Sequence, residues 1–204
     1  MAVAAVFILG QTDFKRMLAY SSVEHMGILA LGVGIGGVAT FGAMLHVVNH
    51  SLTKAMLFLA AGNILAFYHT KSISHVRGVL RCLPTTGVLW LAGFLAIVGS
   101  PPFGPFLSEL TILKGIVDAS RPIVAVIYLL ALAIVFVGMA TIFLRMAYGS
   151  PPETPELSGP PLVNRRDELP ARHEPFWSVA PVTALGLGVL VWGVYVPPAL
   201  LALL

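Results

Sequence analysis

The sequence predicts an all-α protein: a polytopic transmembrane helix bundle with about five full transmembrane helices, an N-terminal helix stub and one helix broken at Pro101-Pro102. Hydrophobic residues make up 57% of the 204 residues, and charged residues only 10%. The mean hydropathy of +0.91 is far above that of a soluble domain. Several apolar stretches approach or exceed the roughly 20 residues that a helix needs to cross a bilayer.

Composition and charge exclude several other classes of protein. The single cysteine, Cys82, excludes an internal disulfide framework and a cysteine metal cluster. The net charge of +3 comes from basic residues between apolar segments without interleaved aromatics, which is typical of cytoplasmic loops rather than of nucleic-acid binding. Residues 1–10 are apolar from the start, without the basic region that opens a signal peptide.

The first predicted crossing covers residues 17–37. The stretch 1–10 before it is too short to span the membrane, and we expect it to be the end of a helix. Asp13, in the polar connection, is the expected N-cap of the crossing. Glu24 and His25 lie near its first third. Glu24 is either a carboxylate on an ion path or the partner of a basic residue on another helix, because both roles would offset the cost of its burial.

The next predicted helix, Val38–Tyr68, contains three ionisable residues in the middle of an apolar run. His46, His50 and Lys54 are spaced four residues apart, which places them on one helix face about 6 Å apart along the axis. Ionisable residues at bilayer depth by default face a water-filled path or a partner, so the row predicts a proton relay. Two histidines at this spacing could also hold a metal or a haem, or simply pack in the core. Lys54 favours the relay, because its ammonium would repel a cation bound one turn away.

Residues 71–83, after this helix, combine apolar side chains at helical spacing with basic ones. An amphipathic pattern of this kind is typical of helices that lie in the membrane surface. The pattern therefore predicts a short interfacial helix. Its apolar positions are Ile73, Val76, Val79, Leu80 and Leu83.

The apolar run 84–118 is interrupted at 99–105 by glycine and proline residues. Pro101-Pro102 removes backbone donors and disfavours helical geometry in the preceding residue, so the helix must break there. Irregular backbone at membrane depth survives only inside protein or beside water, which makes the break a candidate site. Glu109 and Lys114 follow the break and are candidates for the ion path. The alternative is a hinge in which the helix dipole favours the Glu109 carboxylate.

Three segments complete the chain. A uniformly apolar crossing is expected from 121 to about 144. The polar, proline-rich segment 150–175 has no sustained apolar period and is interpreted as a surface loop without chemistry. The final segment, 176–204, contains a terminal crossing with aromatic side chains near both ends. We therefore divide the chain into a membrane domain at 1–149, the polar loop and the terminal helix.

The distribution of basic residues predicts the orientation. If the broken segment crosses the membrane once, nine of the 12 basic residues fall on one side and only Arg121 on the other. If its two halves each crossed, the split would be six to four. The nine-to-one split is the stronger positive-inside signal, so we expect residues 151–175 in the cytoplasm and the C-terminus outside. The nine are Lys15, Arg16, Lys71, Arg77, Arg81, Arg145, Arg165, Arg166 and Arg172.

Three motifs in order along the chain resemble one known family. They are QTDFKRMLAYSSVEHMG at 11–27, HVVNHSLTKAMLFLAAGNI at 46–64 and GSPPFGPFLSELTILKG at 99–115. They resemble the proton-translocating antiporter-like subunits of respiratory complex I and of group 4 nickel-iron hydrogenases, and are most similar to the hydrogenase-4 component F type. Family members have about fourteen transmembrane helices built from two inverted repeats, and this chain resembles the last five helices with a fragment of a sixth.

The resemblance implies a role for most of the candidate residues. His46, His50 and Lys54 match the central hydrophilic axis of the family. Glu109 matches the broken-helix position at which relatives have Lys or Glu as the terminal proton carrier. The candidates with less clear counterparts are Glu24 and Lys114.

The predicted function is therefore proton translocation within a redox-driven complex of the cell (inner) membrane, such as hydrogenase-4, formate hydrogenlyase or NADH-quinone oxidoreductase. The sequence contains no flavin, iron-sulfur or nickel ligand pattern, so we expect no cofactor on this chain. Redox groups would lie on partners, the other membrane and hydrophilic subunits of a hydrogenase or dehydrogenase complex. One alternative is a truncated structural or assembly module of that complex. Another is a subunit of a multisubunit Na+/H+ antiporter, which shares these motifs.

Overall fold

The structure, a computed structural model, describes residues 1–149 and 174–195, and these form eight helices without strands. Four of the helices are long and apolar enough to cross a membrane, namely α2, α3, α7 and α8. Most of the predicted loop 150–175 and the end of the chain after residue 195 lie outside the described residues. The helices are α1 (Ala2–Leu9), α2 (Phe14–Ile35), α3 (Val38–Tyr68), α4 (Val79–Cys82), α5 (Pro84–Ile97), α6 (Gly104–Asp118), α7 (Pro122–Ala147) and α8 (Phe176–Val194).

The boundaries of α2 and α3 follow from local sequence signals. The Asp13 side chain accepts hydrogen bonds from the backbone N–H groups of Lys15 at 2.8 Å and Arg16 at 3.2 Å, which confirms the predicted N-cap. Gly36 and Gly37 have φ values of 86° and 53° and form the turn into α3. Such left-handed geometry is open to glycine without steric cost, so α2 ends two residues before the predicted boundary.

Helix α3 is the central element of the bundle, and α2, α5, α6 and α8 all pack against it. It has 31 residues and a length of about 46 Å, well beyond the roughly 30 Å of a hydrocarbon core. The larger apolar cluster surrounds its C-terminal half, where Met56, Leu57 and Ile64 are fully buried. The middle of its buried face, from His46 to Lys54, is polar instead.

The predicted break is confirmed, and α5 and α6 together make one crossing beside α3. With 14 and 15 residues, each half is only about 21–23 Å long and too short to span alone. The two halves run antiparallel to α3: as the residue numbers rise along α5 and α6, the numbers of the α3 residues that they contact fall. These contacts join Gly93 to Leu57, Gly104 to Asn49 and Gly115 to Ala39.

The prediction of an interfacial helix at 71–83 is wrong for most of this segment, because only the short α4 is helical there. The N–H of Ile73 donates to the carbonyl of Thr12 at 2.9 Å and pairs the segment with the connection before α2. Gly78, with a φ of 69°, then begins α4. The apolar side chains Ile73 and Val76 are nevertheless buried. These two side chains therefore anchor an irregular segment to the protein and do not form one face of a helix.

Glu174 joins the start of α8 to the start of α5. Its carboxylate accepts hydrogen bonds from the backbone N–H groups of Thr85 at 2.7 Å and Thr86 at 3.0 Å, and from the Thr86 hydroxyl. Asn63 on α3 donates to the carbonyl of Ser178 at 2.9 Å nearby. The segment interpreted as a loop without chemistry thus ends in a residue that caps α5 from a distance.

Candidate functional site

The middle of α3 presents polar side chains on its buried face. Their spacing of three or four residues follows the helical period, which places them on the side that meets α2 and α6. None is more than 7% exposed. The row predicted from the sequence therefore lies inside the protein. Its members are His46, Asn49, His50, Thr53 and Lys54.

Lys54 reaches from α3 to α2. Its Nζ donates to the carbonyl of Leu18 at 2.6 Å and to the hydroxyl of Ser21 at 2.5 Å. The Ser21 hydroxyl in turn donates to the same carbonyl at 3.0 Å. Neither acceptor is charged, so these contacts hold the amine without an ion pair.

Glu24 and His25 lie one turn further along α2. Glu24 is 1% exposed, and its two carboxylate oxygens have no hydrogen-bond partner among the described residues. Its Oε2 lies 3.7 Å from Nε2 of His25. The ring of His25 lies 4.7 Å from that of His50, measured between centroids. Glu24 therefore lies beside His25, which in turn meets the histidines of α3, and this leaves both of the predicted roles of Glu24 open.

His25 links α2 to α3 and, through it, to α6. Its Nδ1 lies 2.9 Å from Nε2 of His46. The other ring nitrogen of His46, Nδ1, lies 2.8 Å from Oγ of Ser108 on α6. Neither His25 nor Ser108 was among the residues selected from the sequence. The available signal for His25 was its place in a row of residues spaced three and four apart along α2, the row that the structure buries: Leu18, Ser21, His25, Ile28 and Gly32.

Glu109 lies in the second turn of α6, with its side chain against Gly99 in the break between α5 and α6, and is 6% exposed. Gly99, with a φ of 66°, packs directly against it, since a Cβ there would lie 2.9 Å from Cδ of Glu109. Oε1 of Glu109 is buried and has no partner among the described residues. Asn49 of α3 donates to the carbonyl of Gly104 at 2.8 Å and so holds the start of α6. The break thus encloses a carboxyl group within the protein.

Lys114 lies apart from these residues. Its side chain is 64% exposed, and its Nζ lies 2.5 Å from the carboxylate of Asp118. Five residues along a helix correspond to a rotation of about 140°, which turns Lys114 away from the face that buries Glu109. The geometry thus gives Lys114 no contact with the other candidates.

Three histidines are close enough together to be considered as metal ligands. One ring nitrogen from each of His25, His46 and His50 lies within 4.8 Å of the others, and imidazole is a common ligand of Zn²⁺ and similar ions. However, Nδ1 of His25 and Nε2 of His46 face each other at hydrogen-bonding distance. This arrangement favours a chain of hydrogen bonds over a shared ion.

Comparison with known proteins identifies the family. The family described as NADH:quinone oxidoreductase/Mrp antiporter, TM matches residues 1–135. The chain is 34% identical over 196 residues to a hydrogenase-4 component F homologue of Methylacidiphilum infernorum, covering 96% of this chain and 37% of that protein. It is 32% identical over 196 residues to NADH-quinone oxidoreductase subunit N of Desulforudis audaxviator, covering 94% of this chain and 38% of that protein.

A solved structure supports the same assignment. A chain of respiratory complex I from Thermus thermophilus with bound NADH superposes with a TM-score of 0.78 at 26% identity, covering 94% of this chain and 38% of that one. The chain thus spans well under half the length of the relatives it matches. On these grounds the chain belongs to the transmembrane family of NADH:quinone oxidoreductase and Mrp antiporter subunits, and is a membrane protein.

Proposed function

We propose that this chain forms a proton-conducting part of an antiporter-like subunit in a redox-driven complex, such as hydrogenase-4, formate hydrogenlyase or NADH-quinone oxidoreductase. The observation that supports the proposal is the set of buried ionisable side chains that extends from α2 through α3 to the break before α6. We assign the path to Lys54, Glu24, His25, His46, His50 and Glu109.

Unpartnered polar atoms support a hydrated path along these residues. Buried polar atoms are normally hydrogen-bonded to protein or to ordered water. Among the described residues, the exceptions include atoms of Glu24, Asn49, His50 and Glu109. Water at these atoms would connect groups that do not touch directly and would allow a proton to pass between them.

Electrostatic coupling supplies a means of driving the proton. Two unit charges about 10 Å apart at an effective dielectric constant near 20 interact by about 1.7 kcal/mol. This changes a protonation equilibrium by somewhat more than tenfold, since 1.36 kcal/mol corresponds to one pKa unit. A redox event that moves one charge near Lys54 or Glu24 would therefore change the proton occupancy of its neighbour.

The redox chemistry is assigned to partners. The relatives named above are components of a hydrogenase and of NADH-quinone oxidoreductases. We infer that nickel-iron, iron-sulfur or flavin groups lie on the other membrane and hydrophilic subunits, and that this chain holds no cofactor. For the orientation in the cell (inner) membrane, we infer that residues 151–175, most of which lie outside the described part of the chain, are cytoplasmic and that the C-terminus is outside.

Two other functions make different predictions. A purely structural or assembly module would have no need of several buried ionisable groups, each of which is costly at membrane depth. A subunit of a multisubunit Na+/H+ antiporter would use the same residues without an electron-transfer partner. Proton movement that requires electron transfer and proceeds in sodium-free medium would therefore favour the redox-driven complex.

The test is Lys54→Ala in the complete complex, reconstituted in proteoliposomes. We expect it to abolish proton pumping while electron transfer by the partner subunits stays partly active, because Lys54 is the buried lysine of the path. Lys114→Ala is the matched control: it also removes a lysine, but one that is 64% exposed, and it should pump normally. Pumping at normal stoichiometry in Lys54→Ala would exclude the proposed role.

A further inference from the structure

Ser108 ends a row of three hydrogen-bonding side chains from three different helices. Its Oγ lies 2.8 Å from Nδ1 of His46 and also 2.8 Å from the carbonyl oxygen of Pro105. The other nitrogen of His46 lies 2.9 Å from Nδ1 of His25. All three side chains are at most 2% exposed, so no bulk water competes for these bonds.

For the bonds among these three side chains and Pro105, with both histidines neutral, counting hydrogens gives one consistent set of directions. A carbonyl oxygen only accepts, so the single hydroxyl hydrogen of Ser108 is donated to Pro105. Oγ must then accept its other bond, and the hydrogen comes from Nδ1 of His46. A neutral imidazole has one N–H, so Nε2 of His46 accepts from Nδ1 of His25. The donations therefore run from α2 to α3 to α6.

The backbone holds Ser108 in this position. A Cβ on Gly42, one turn before His46, would lie 3.1 Å from the carbonyl oxygen of Ser108 and 2.8 Å from the N–H nitrogen of Ile112. Helices α3 and α6 thus touch backbone to backbone here. This contact keeps the backbone of Ser108 close to the turn of α3 that precedes His46.

We propose that Ser108 is a positioning residue that fixes the tautomer of His46, and with it the direction in which the His25–His46 pair transfers a proton. The second part rests on the proposed function. In this tautomer state Nε2 of His25 is unprotonated and faces Oε2 of Glu24 at 3.7 Å. This distance is too long for a direct hydrogen bond, so a bridging water or a small movement of Glu24 must close it; a proton on Glu24 can then pass to that nitrogen while the Nδ1 hydrogen of His25 passes to Nε2 of His46. Glu24 becomes a carboxylate, His25 stays neutral with its hydrogen on Nε2, and His46 becomes an imidazolium.

The experiment is solid-state NMR of the assembled complex with ¹⁵N-labelled histidine in this subunit. The signals of His46 are identified by their loss in His46→Gln. We expect His46 to have its hydrogen on Nδ1. Ser108→Ala removes the acceptor and should shift the hydrogen of His46 from Nδ1 towards Nε2, whereas Ser108→Thr, which keeps the hydroxyl, should leave the spectrum unchanged.

Thr111→Val is the matched control on the same helix. The Thr111 hydroxyl donates to the carbonyl of Leu107, four residues earlier, at 2.7 Å, a bond within the helix like that of Ser108 to Pro105 three residues earlier, but no histidine of the described residues bonds to it. This variant should preserve the tautomer of His46. If Ser108→Ala does not assemble, Ser108→Cys replaces the oxygen with a weak acceptor of similar size and should give the same shift.

An unchanged His46 tautomer in Ser108→Ala or Ser108→Cys would overturn the inference, whatever the pumping activity. Normal pumping in Lys54→Ala would overturn the proposed function instead, whatever the tautomer of His46. The two failures are therefore distinguishable. If both proposals hold, Ser108→Ala shifts the tautomer and slows pumping, and Ser108→Thr restores both.

Discussion

Burial separates the chemistry of two lysines on this chain. Lys54 is 6% exposed and bonds directly only to neutral oxygens, so burial removes its hydration without a direct ion pair in return. Lys114 is 64% exposed and pairs with Asp118, an arrangement that contributes little energy at a surface. A lysine that gains and loses a proton needs the first environment, not the second.

Residue spacing predicted part of the site but not all of it. His46, His50 and Lys54 share a face because of the helical period, which is a local property. The neighbours His25 and Ser108 belong to other helices, and their contact with His46 depends on how the helices cross. A single sequence contains no direct measure of that crossing, which is why both residues were missed.

The role of Glu109 is tested by three substitutions. If Glu109 transfers protons, its protonation must change, so Glu109→Gln should lose pumping nearly as fully as Glu109→Ala. Glu109→Lys is titratable and should retain some pumping. Proton translocation by the complex in liposomes measures all three variants.

A hinge at the same position predicts another order. The amide of Glu109→Gln would still fill the break and would be tolerated, whereas the cation of Glu109→Lys would oppose the helix N-terminus and be the worst. The amount of assembled complex is measured in parallel, so that a folding defect is not mistaken for lost transport. A Glu109→Gln variant that pumps would end the carrier interpretation.

At the scale of the elements, the sequence predicted the helices and breaks that local residues determine, but not the structure that depends on contacts between distant segments. The bounds of α3 and the break after Gly99 follow from apolar length, glycine and proline. The segment 71–83 has a helical pattern as well, but backbone bonds to Thr12 and the left-handed Gly78 override it. Pairing with a segment some 60 residues away in sequence is invisible to a local pattern.

The crossing of α3 and α6 depends on small residues, and we expect Gly42→Ala to destabilise the protein by about 1–3 kcal/mol through overpacking. The added Cβ would lie 2.8 Å from the backbone nitrogen of Ile112. Gly62→Ala is the control on the same helix, because no atom lies within 4 Å of its Cβ position, and it should be neutral or stabilising. Thermal unfolding in detergent compares the two; equal stability would show that the crossing tolerates a methyl group.

At the scale of the whole molecule, the antiparallel course of α5 and α6 along α3 fixes which ends lie together. The end of α6 meets the start of α3, where Gly115 packs against Ala39. The start of α5 meets the end of α3, near Glu174. This single crossing is the arrangement on which the nine-to-one distribution of basic residues depends.

Cysteine labelling in intact cells tests the orientation. Ser74 and Ala119 are exposed and lie in the connections at opposite ends of α5 and α6. An impermeant thiol reagent applied from outside should label Ala119→Cys but not Ser74→Cys, because the basic residues near Ser74 are expected in the cytoplasm. The native Cys82 is buried and serves as the background. The reverse labelling pattern would contradict the orientation.

The most direct test of the central claim, that buried ionisable groups exchange protons during turnover, is infrared difference spectroscopy of the complete complex. Electron transfer should change the band of a protonated carboxylic acid, and this band should shift in D₂O because the group exchanges its proton. The band should be altered or lost in Glu109→Gln or in Glu24→Gln, but should persist in Asp118→Asn, whose side chain is 51% exposed. A turnover spectrum without a carboxylic acid band, or with a band that survives in both buried variants, would contradict the account.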